Sequence, residues 1–457
     1  MRTASQVIAQ MREVAPPGPN PAGADLHALR KLTLELAAAS PGAVAEYERF
    51  AAIQQRSIGL AAMDLQTWLA GKKVLVTGGT GCIGSALMKQ VSHFPCRHLT
   101  SVSRGITTGR PQVHYADYYV ADIRDRRQLA DVFAEVQPDV VFHVAAQRNP
   151  GLAELEVHRT VTTNVLGTRN VLEAAAEHGV PQVVAASTGK ALRPYSPDIY
   201  TASKRAAEWL LSQAARRSAL VSAARFTHVI DNSIIHGRLL DWCEAGETVR
   251  LHDPGIVFYV QSALESAQLL LAAGLGAREG SLMVHAITDL GWPVNLLDSA
   301  LGLITVSGSQ SPIWFPGYDQ GYEEVPFPGL YDPLTAGDVS PLLNAFEAGR
   351  AVRGRCKAVD AFPLEMAQGP AGLLLMALEQ TCARTQDPAG IRGALDALSW
   401  SLLDATLEAV PQRVLDRAVK LCEPHRAGLN GEHARMLAAI ERCTAGADAL
   451  TPASGGR

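Results

Sequence analysis

Lys73-Val74-Leu75-Val76-Thr77-Gly78-Gly79-Thr80-Gly81-Cys82-Ile83-Gly84 decides the fold. An apolar, β-branched run enters this stretch and a helix-forming run, Ser85-Ala86-Leu87-Met88-Lys89-Gln90, leaves it. Strand, glycine turn and helix in that order form the setting a dinucleotide site requires. Gly78 suits the tight turn after the strand. Gly81 lets a pyrophosphate approach the backbone, and Gly84 lets the helix pack on its strand. The helix N-terminus offers free N–H groups and a positive dipole end to phosphates. Gly78, Thr80, Gly81, Cys82, Ile83 and Gly84 are therefore the phosphate-side candidates.

Strand–helix alternation continues from this loop, which predicts a parallel sheet with crossover helices. Leu99–Val102 reads as the second strand, followed by Ser103 and Arg104. Arg104 lies where an acidic residue would hold the ribose 2′-hydroxyl of NAD. An arginine there suits the 2′-phosphate of NADP, so NADP rather than NAD is expected, with Ser103 adding a hydrogen bond. Tyr118–Ala121 is a third strand, ending at Asp122 and Ile123, with Asp122 placed to meet the adenine. Val140–Val144 is a fourth, ended by Ala145, Ala146 and Gln147. Small residues there let a cofactor lie across the strand ends. Thr163-Asn164 opens a helix running to His178, and Val183–Ala186 is a fifth strand.

Ser187-Thr188-Gly189-Lys190 follows that strand directly, and Tyr200-Thr201-Ala202-Ser203-Lys204 heads the next helix. Tyr200 and Lys204, four apart, share a helical face. An ammonium beside a phenol lowers the phenol pKa toward working pH. A hydroxyl from Ser187 or Thr188 can orient a substrate alcohol, and the set can take a proton while hydride leaves for a nicotinamide. Tyr200, Lys204, Ser187, Thr188 and Lys190 are the catalytic candidates; Tyr200, Lys204 and Asn164 also count toward the cofactor.

With these motifs in order, residues 73–305 resemble the extended short-chain dehydrogenase/reductase family. Within it they are most similar to the polysaccharide-biosynthesis branch of UDP-sugar 4,6-dehydratases and epimerases. The motifs are Thr77-Gly78-Gly79-Thr80-Gly81, Asp139–His143 with Ala145-Ala146, Thr163–Thr168, Ser187-Thr188-x-Lys190, and Tyr200 with Lys204. The resemblance implies a Rossmann-type α/β fold and a transient oxidation at a secondary alcohol or keto centre of a sugar nucleotide or related polyol. The chain also departs from the pattern. In the dehydratases the x of Ser-Thr-x-Lys is usually an aspartate that acts as acid; here it is Gly189. Phe226-Thr227-His228-Val229 replaces the usual Gly-Asn pair after the sixth strand, and Ile230–His236 replaces a glycine-rich loop on the nucleotide side. No arginine occurs in Leu251–Tyr259, where relatives often carry one near the substrate. A net NADPH-dependent ketoreductase of a non-nucleotide metabolite, as in specialised metabolism, is the alternative; a cofactor-binding scaffold is the third reading.

Four segments are expected: an N-terminal helical extension (1–70), an NADP-binding Rossmann domain (71–235), a substrate-binding portion interleaved with the last Rossmann elements (236–337), and a C-terminal helical extension with a tail (338–457). In the first, Asp25 is placed to cap a helix bearing Leu29, Leu32 and Leu36. In the last, Leu395, Leu398 and Leu402 form an apolar face, Pro411 breaks the run, and Thr451–Arg457 reads as a disordered tail. The aromatic, Pro/Gly-rich stretch from Trp314 to Tyr331 reads equally as a substrate-covering or a packed surface loop.

The net charge of −4 with mixed signs gives no support for nucleic-acid or membrane partners. No apolar run approaches the roughly 18 residues of a membrane span, and the N-terminus lacks signal-peptide character. Seven scattered cysteines suggest reduced thiols in the cytoplasm. Thirteen histidines without metal spacing predict no metal site. The expected partners are a small-molecule substrate and a second copy of the chain in a homodimer.

Overall fold

The computed structural model describes residues 2–105, 112–217, 219–232, 234–319, 327–328, 330, 338–367 and 369–448. The chain divides into two compact units. The larger holds Ile58–Phe226, Ala267–Asp289 and Glu323–Arg457; the smaller holds Met1–Ser57, Thr227–Ser266 and Leu290–Tyr322.

The larger unit is built on a nine-stranded sheet. Its strands are β1 (Lys73–Thr77), β2 (His98–Ser103), β3 (Asp117–Val120), β4 (Val140–His143), β5 (Gln182–Thr188), β6 (Leu220–Phe226), β7 (Met283–Ile287), β8 (Val352–Arg353) and β9 (Val359–Pro363). They run in the order β8-β9-β7-β6-β5-β4-β1-β2-β3. The pairs from β3 through β7 are parallel, and β8 and β9 are antiparallel additions. A parallel sheet covered on both faces needs continuous apolar strands, and Val74, Leu75 and Val76 are fully buried accordingly. The Arg126–Val136 helix shows how a crossover is held. Asp125 caps it by accepting from the Arg127 and Gln128 amides. Leu129, Val132 and Phe133 then bury against Val171, Ala174 and Ala175 of the Gly167–Glu177 helix.

Three features differ from the sequence reading. The Thr163–His178 helix is the end of a longer helical run from Val157, in which Thr162–Leu166 forms a π turn. Such turns widen the helix and recur at functional sites. The C-terminal region is not wholly helical, because β8 and β9 extend the sheet through β7. These strands are short, and Pro363 ends β9, so no alternation marks them. Beyond them, the Ala371–Arg384 and Pro388–Leu407 helices pack together, and the latter lies on the Ile199–Ala215 helix. Leu395, Leu398 and Leu402 are buried, and Pro411 precedes a new helix, Gln412–Cys422. Finally, residues 1–70 are not one layer: the Ala62–Leu69 helix belongs to the larger unit and residues 1–57 to the smaller. Trp68 of that helix donates its indole N–H to Gln182 Oε1 at 3.0 Å. It also lies over Gly274, where a Cβ would come within 2.2 Å of the indole.

The smaller unit packs the Ala4–Val14, Ala24–Ala38, Ala43–Ala52, His236–Ala245 and Leu296–Ser307 helices around three two-stranded ladders. Leu29, Leu32 and Leu36 enter its core beside Val249, Leu251, Ile313 and Trp314. Asp25 does not cap its helix. Gly23 occupies the N-cap and Asp25 lies within the first turn. Gly302 lets two helices meet, since a Cβ there would fall 2.2 Å from the Ala43 carbonyl oxygen. The tail at Thr451–Arg457 lies outside the described residues, as do 320–326, 329 and 331 of the aromatic loop.

Candidate active site

The glycine loop after β1 is interlocked. Gly78 has φ +76°, and a Cβ there would lie 2.8 Å from the Ala145 amide nitrogen. A Cβ on Gly84 would fall 2.0 Å from the Gly78 carbonyl oxygen, so that position too admits only glycine. Gly81 is the N-cap of the Cys82–Val91 helix and supplies no side-chain cap. The first-turn amides therefore keep their positive field for a bound anion. This cradle fits the diphosphate of a dinucleotide. Thr80, Cys82 and Ile83 flank it, each partly buried.

Arg104 is exposed immediately beyond β2, after the half-buried Ser103. Its charge helps hold Asp122 below the usual carboxylate range; burial opposes this, and Arg124 makes the main favourable contacts. Arg124 engages the Asp122 carboxylate with Nη2 at 2.6 Å and Nε at 3.0 Å. Asp122 is thus ion-paired and remains partly exposed. Ile123 is buried, and a Cβ on Gly167 would sit 2.8 Å from its Cδ1, so its side chain is core. Ala145 and Ala146 line the chain beyond β4. The π turn presents Asn164 to Gln147: the Gln147 amide donates to Asn164 Oδ1 at 2.8 Å, and Asn164 Nδ2 donates to the Gln147 carbonyl at 3.1 Å and to Ser203 Oγ at 3.0 Å.

Below this, His143 bridges β1 and the following helix. Thr168 Oγ1 gives its hydrogen to the Asn164 carbonyl at 2.7 Å, so it accepts from His143 Nε2 at 3.0 Å. His143 Nδ1 then accepts from Thr77 Oγ1 at 2.8 Å. Burial, with the Lys204 charge, pulls the His143 pKa down to about 3, so the ring is neutral.

β5 and the Ile199–Ala215 helix bring the catalytic candidates together. Asp198 caps the helix by accepting from the Thr201 amide at 2.7 Å. Burial raises the Tyr200 pKa above the ordinary phenol value, and the nearby Thr188 side chain opposes it, as does Arg148, while Asp198 adds to the rise. The neighbouring lysine does not produce the lowering that the spacing suggested. Lys204 Nζ instead donates to the Ala186 carbonyl at 2.8 Å, and burial pulls its pKa down to about 8 against the attraction of Glu208.

The two hydroxyl candidates separate. Ser187 is buried, and its Oγ donates to Glu208 Oε1 at 2.7 Å, so it faces away from Tyr200. Thr188 is half-buried at the end of the strand. Lys190 lies one turn on, its amide donating to Thr188 Oγ1 at 3.3 Å.

Sequence reasoning missed the support beneath Ser187. Glu208 accepts from the fully buried Arg225 through Nε and Nη2, both at 2.8 Å. Arg225 donates in turn to Glu347 at 2.7 and 2.9 Å and to the Leu342 carbonyl at 3.2 Å. Arg205 adds a contact to Glu208 at 3.2 Å. Two cations and two anions balance, which is what makes such burial tolerable. Burial works against the Arg225 charge, and Glu208 and Glu347 overcome it, so its pKa rises. Tyr200, Lys204 and Glu208 recur at four-residue spacing, so Glu208 was within reach of the sequence. Leu342 was not. It is buried against Gly189, where a Cβ would approach Leu342 Cδ2 to 2.8 Å.

In the smaller unit, the residues that replace the family loop bind their own framework. Thr227 Oγ1 donates to the Tyr259 carbonyl at 2.6 Å. His228 meets Phe258 edge-on at 5.4 Å. Asp231 accepts the Ala263 amide at 2.7 Å. Among the described residues no group of three His, Cys, Asp or Glu side chains could hold a metal. Among them, too, no helix is long and apolar enough to cross a membrane.

The sheet order, the glycine cradle and the Tyr200–Lys204 helix define an extended short-chain dehydrogenase/reductase fold. Residues 74–321 match the family described as polysaccharide biosynthesis protein, and the chain belongs to that family. The probable polysaccharide biosynthesis protein EpsC of Bacillus subtilis (strain 168) is 29% identical over 293 residues, covering 59% of this chain and 48% of the relative. The capsular polysaccharide biosynthesis protein CapD of Staphylococcus aureus is 31% identical over 278 residues, covering 56% and 45%. The chain thus spans about half the length of these curated relatives. The X-ray structure of Pen from Bacillus thuringiensis superposes with a TM-score of 0.54 at 21% identity, over 65% of this chain and 87% of that one. At that identity the likeness is one of fold.

Proposed function

We propose that this protein is an NADP-dependent enzyme that transiently oxidises a secondary alcohol of a nucleotide sugar or related polyol, as an epimerase or dehydratase does. The observation that carries the reading is the placement of Thr188 at the carboxyl end of β5 beside the helix that bears Tyr200 and Lys204, with Lys204 Nζ fixed on the Ala186 carbonyl of the same strand at 2.8 Å. Two adjacent hydroxyls there define the position of a substrate oxygen. Tyr200, with its raised pKa, holds a proton at neutral pH and can give it to an oxygen that gains charge; its phenolate takes the proton back in the opposite direction. Thr188 orients that oxygen. Lys204, fixed on the Ala186 carbonyl, brings a positive charge beneath the site. Gly78, Gly81 and the first-turn amides after Gly81 would hold the dinucleotide diphosphate, and Arg104 the 2′-phosphate. NADP, when bound, supplies the hydride acceptor and donor. The names of EpsC and CapD support polysaccharide precursors as the substrate class. All seven cysteines are free, which fits a reducing cytoplasm.

Gly189 supports a second reading, a net NADPH-dependent ketoreductase. Position 189 itself supplies no carboxyl to protonate a leaving hydroxyl, and Leu342 occupies the space a side chain there would enter. Reduction needs only Tyr200, Thr188 and Lys204.

Incubation with a panel of UDP- and TDP-sugars, followed by mass spectrometry and solvent-deuterium exchange, tests the first reading; an unchanged panel removes it. Stoichiometric NADPH oxidation with a carbonyl substrate marks the second. In either case Tyr200→Phe is expected to lower turnover by about 10²–10⁴-fold with NADP binding unchanged. Unaltered turnover would remove the site itself.

A further inference from the structure

We propose that the smaller unit carries a diphosphate-binding groove of its own, built on Arg30, Arg238 and Arg250 beside Trp242. A cavity of about 570 Å³ opens there, lined also by Leu26 and Glu247. That volume lies within the range of small-molecule sites.

Three elements supply the cations, two of them consecutive in the chain and the third near the N-terminal end. Leu26 and Arg30 are one turn apart on the Ala24–Ala38 helix, Arg238 and Trp242 one turn apart on the His236–Ala245 helix, and Arg250 ends the short Val249–Arg250 strand. The other arginines of this unit that form ion pairs have carboxylate partners: Arg2 with Glu35, Arg12 with Asp253, Arg49 with Glu46 and Arg56 with Glu265. Among the described residues no ion pair involves Arg30, Arg238 or Arg250. Two of these are held by aromatic faces instead. The Arg238 guanidinium lies 4.7 Å from the centre of the Trp242 ring, and that of Arg250 lies 6.0 Å from the centre of Trp314. Stacking orients a guanidinium without neutralising it. The field of Arg238 also reaches His252, where it adds to burial in lowering the imidazole pKa against Asp319.

Three arginines less Glu247 leave a net charge of +2 on the groove. A diphosphate matches that charge and offers several oxygens to the guanidinium forks. A single carboxylate would leave half of it uncompensated. Leu26 and the Trp242 indole provide apolar surface for a ring attached to the diphosphate. None of these residues belongs to the catalytic or cofactor set, so the inference does not depend on the proposed reaction.

The test uses the full chain, saturated with NADP to fill the cofactor cradle. Inorganic pyrophosphate, UDP and uridine are titrated in turn by calorimetry and by indole fluorescence. Pyrophosphate is expected to bind with one site per chain that the groove arginines control, UDP to bind there as well as at any substrate site of the proposed reaction, and uridine not to bind the groove. Tighter binding of UDP than of pyrophosphate identifies a nucleoside diphosphate; equal binding identifies the diphosphate alone. The Arg238→Gln/Arg250→Gln double variant is expected to weaken both at least tenfold, and raising the salt to weaken them further, as exposed charges require. These side chains are exposed, so folding is expected to persist, checked by circular dichroism and retained NADP binding. Two results overturn the proposal: no binding of pyrophosphate or UDP to the wild-type chain, or binding that the double variant leaves unchanged.

Discussion

The strand ends of the larger unit and the stretch from Thr227 to Asp231 of the smaller one carry comparable polar residues and use them differently. After β5, Thr188 and Tyr200 stay half-buried, while Ser187, Glu208 and Arg225 lie inside and bond to one another. In the smaller unit's stretch, Thr227, His228 and Asp231 bind carbonyl, ring and amide groups of their own unit. A polar side chain that stabilises its framework is not available to a ligand without loss of that bond. The comparison teaches that the motif-bearing half keeps an outward-facing set on top of a buried one, whereas the departing loop has become framework.

The largest expected effect lies in the buried support. Arg225→Met leaves Glu208 and Glu347 without their shared cation and is expected to cost about 3–5 kcal/mol, read from urea denaturation. A loss below 1 kcal/mol would mean the cluster does not hold the β5–β6 region as described. Arg104→Ala comes next and sharpens the ligand-facing side. NADP binding should weaken by about tenfold or more, roughly 1.4 kcal/mol, with NAD binding little changed; equal losses would refute the phosphate role. Gly189→Ala places a Cβ against Leu342 and should destabilise by about 1 kcal/mol, the low end of overpacking costs because a leucine methyl can shift. In a Leu342→Ala background most of that cost should vanish, and additive effects would show that the two residues do not touch. The smallest effect is predicted for Thr227→Val, about 0.5–1.5 kcal/mol from one lost hydrogen bond, with NADP binding intact. If that substitution altered cofactor affinity, the loop would not be the separate framework described above.

Much of the larger unit was legible because its signals are local. The β1–glycine–helix stretch, the apolar parallel strands and the Tyr200–Lys204 spacing each reflect a periodicity or a backbone need within a few residues. Two readings failed, and a choice between two neighbours stayed open, for the complementary reason. The lowering of the Tyr200 pKa by Lys204 assumed that a shared helical face means contact, but the lysine turns to the Ala186 carbonyl. Ser187 and Thr188 are adjacent, and a strand sends adjacent side chains to opposite faces. Which of the two faces Tyr200 depended on where Glu208 lies. The strands β8 and β9 escaped notice because short, Pro-terminated edge segments lack a pattern of their own.

The sequence by itself therefore determined the Rossmann core, the glycine cradle and the Tyr–Lys helix, since each follows from residue size, backbone freedom and periodicity over short range. Only the tertiary structure decided that Ser187 turns to Glu208, that Leu342 closes over Gly189, and that Arg225 joins Glu208 to Glu347. Those are contacts between segments far apart in the chain, and burial, charge balance and close packing act on such contacts only once the segments have been brought together.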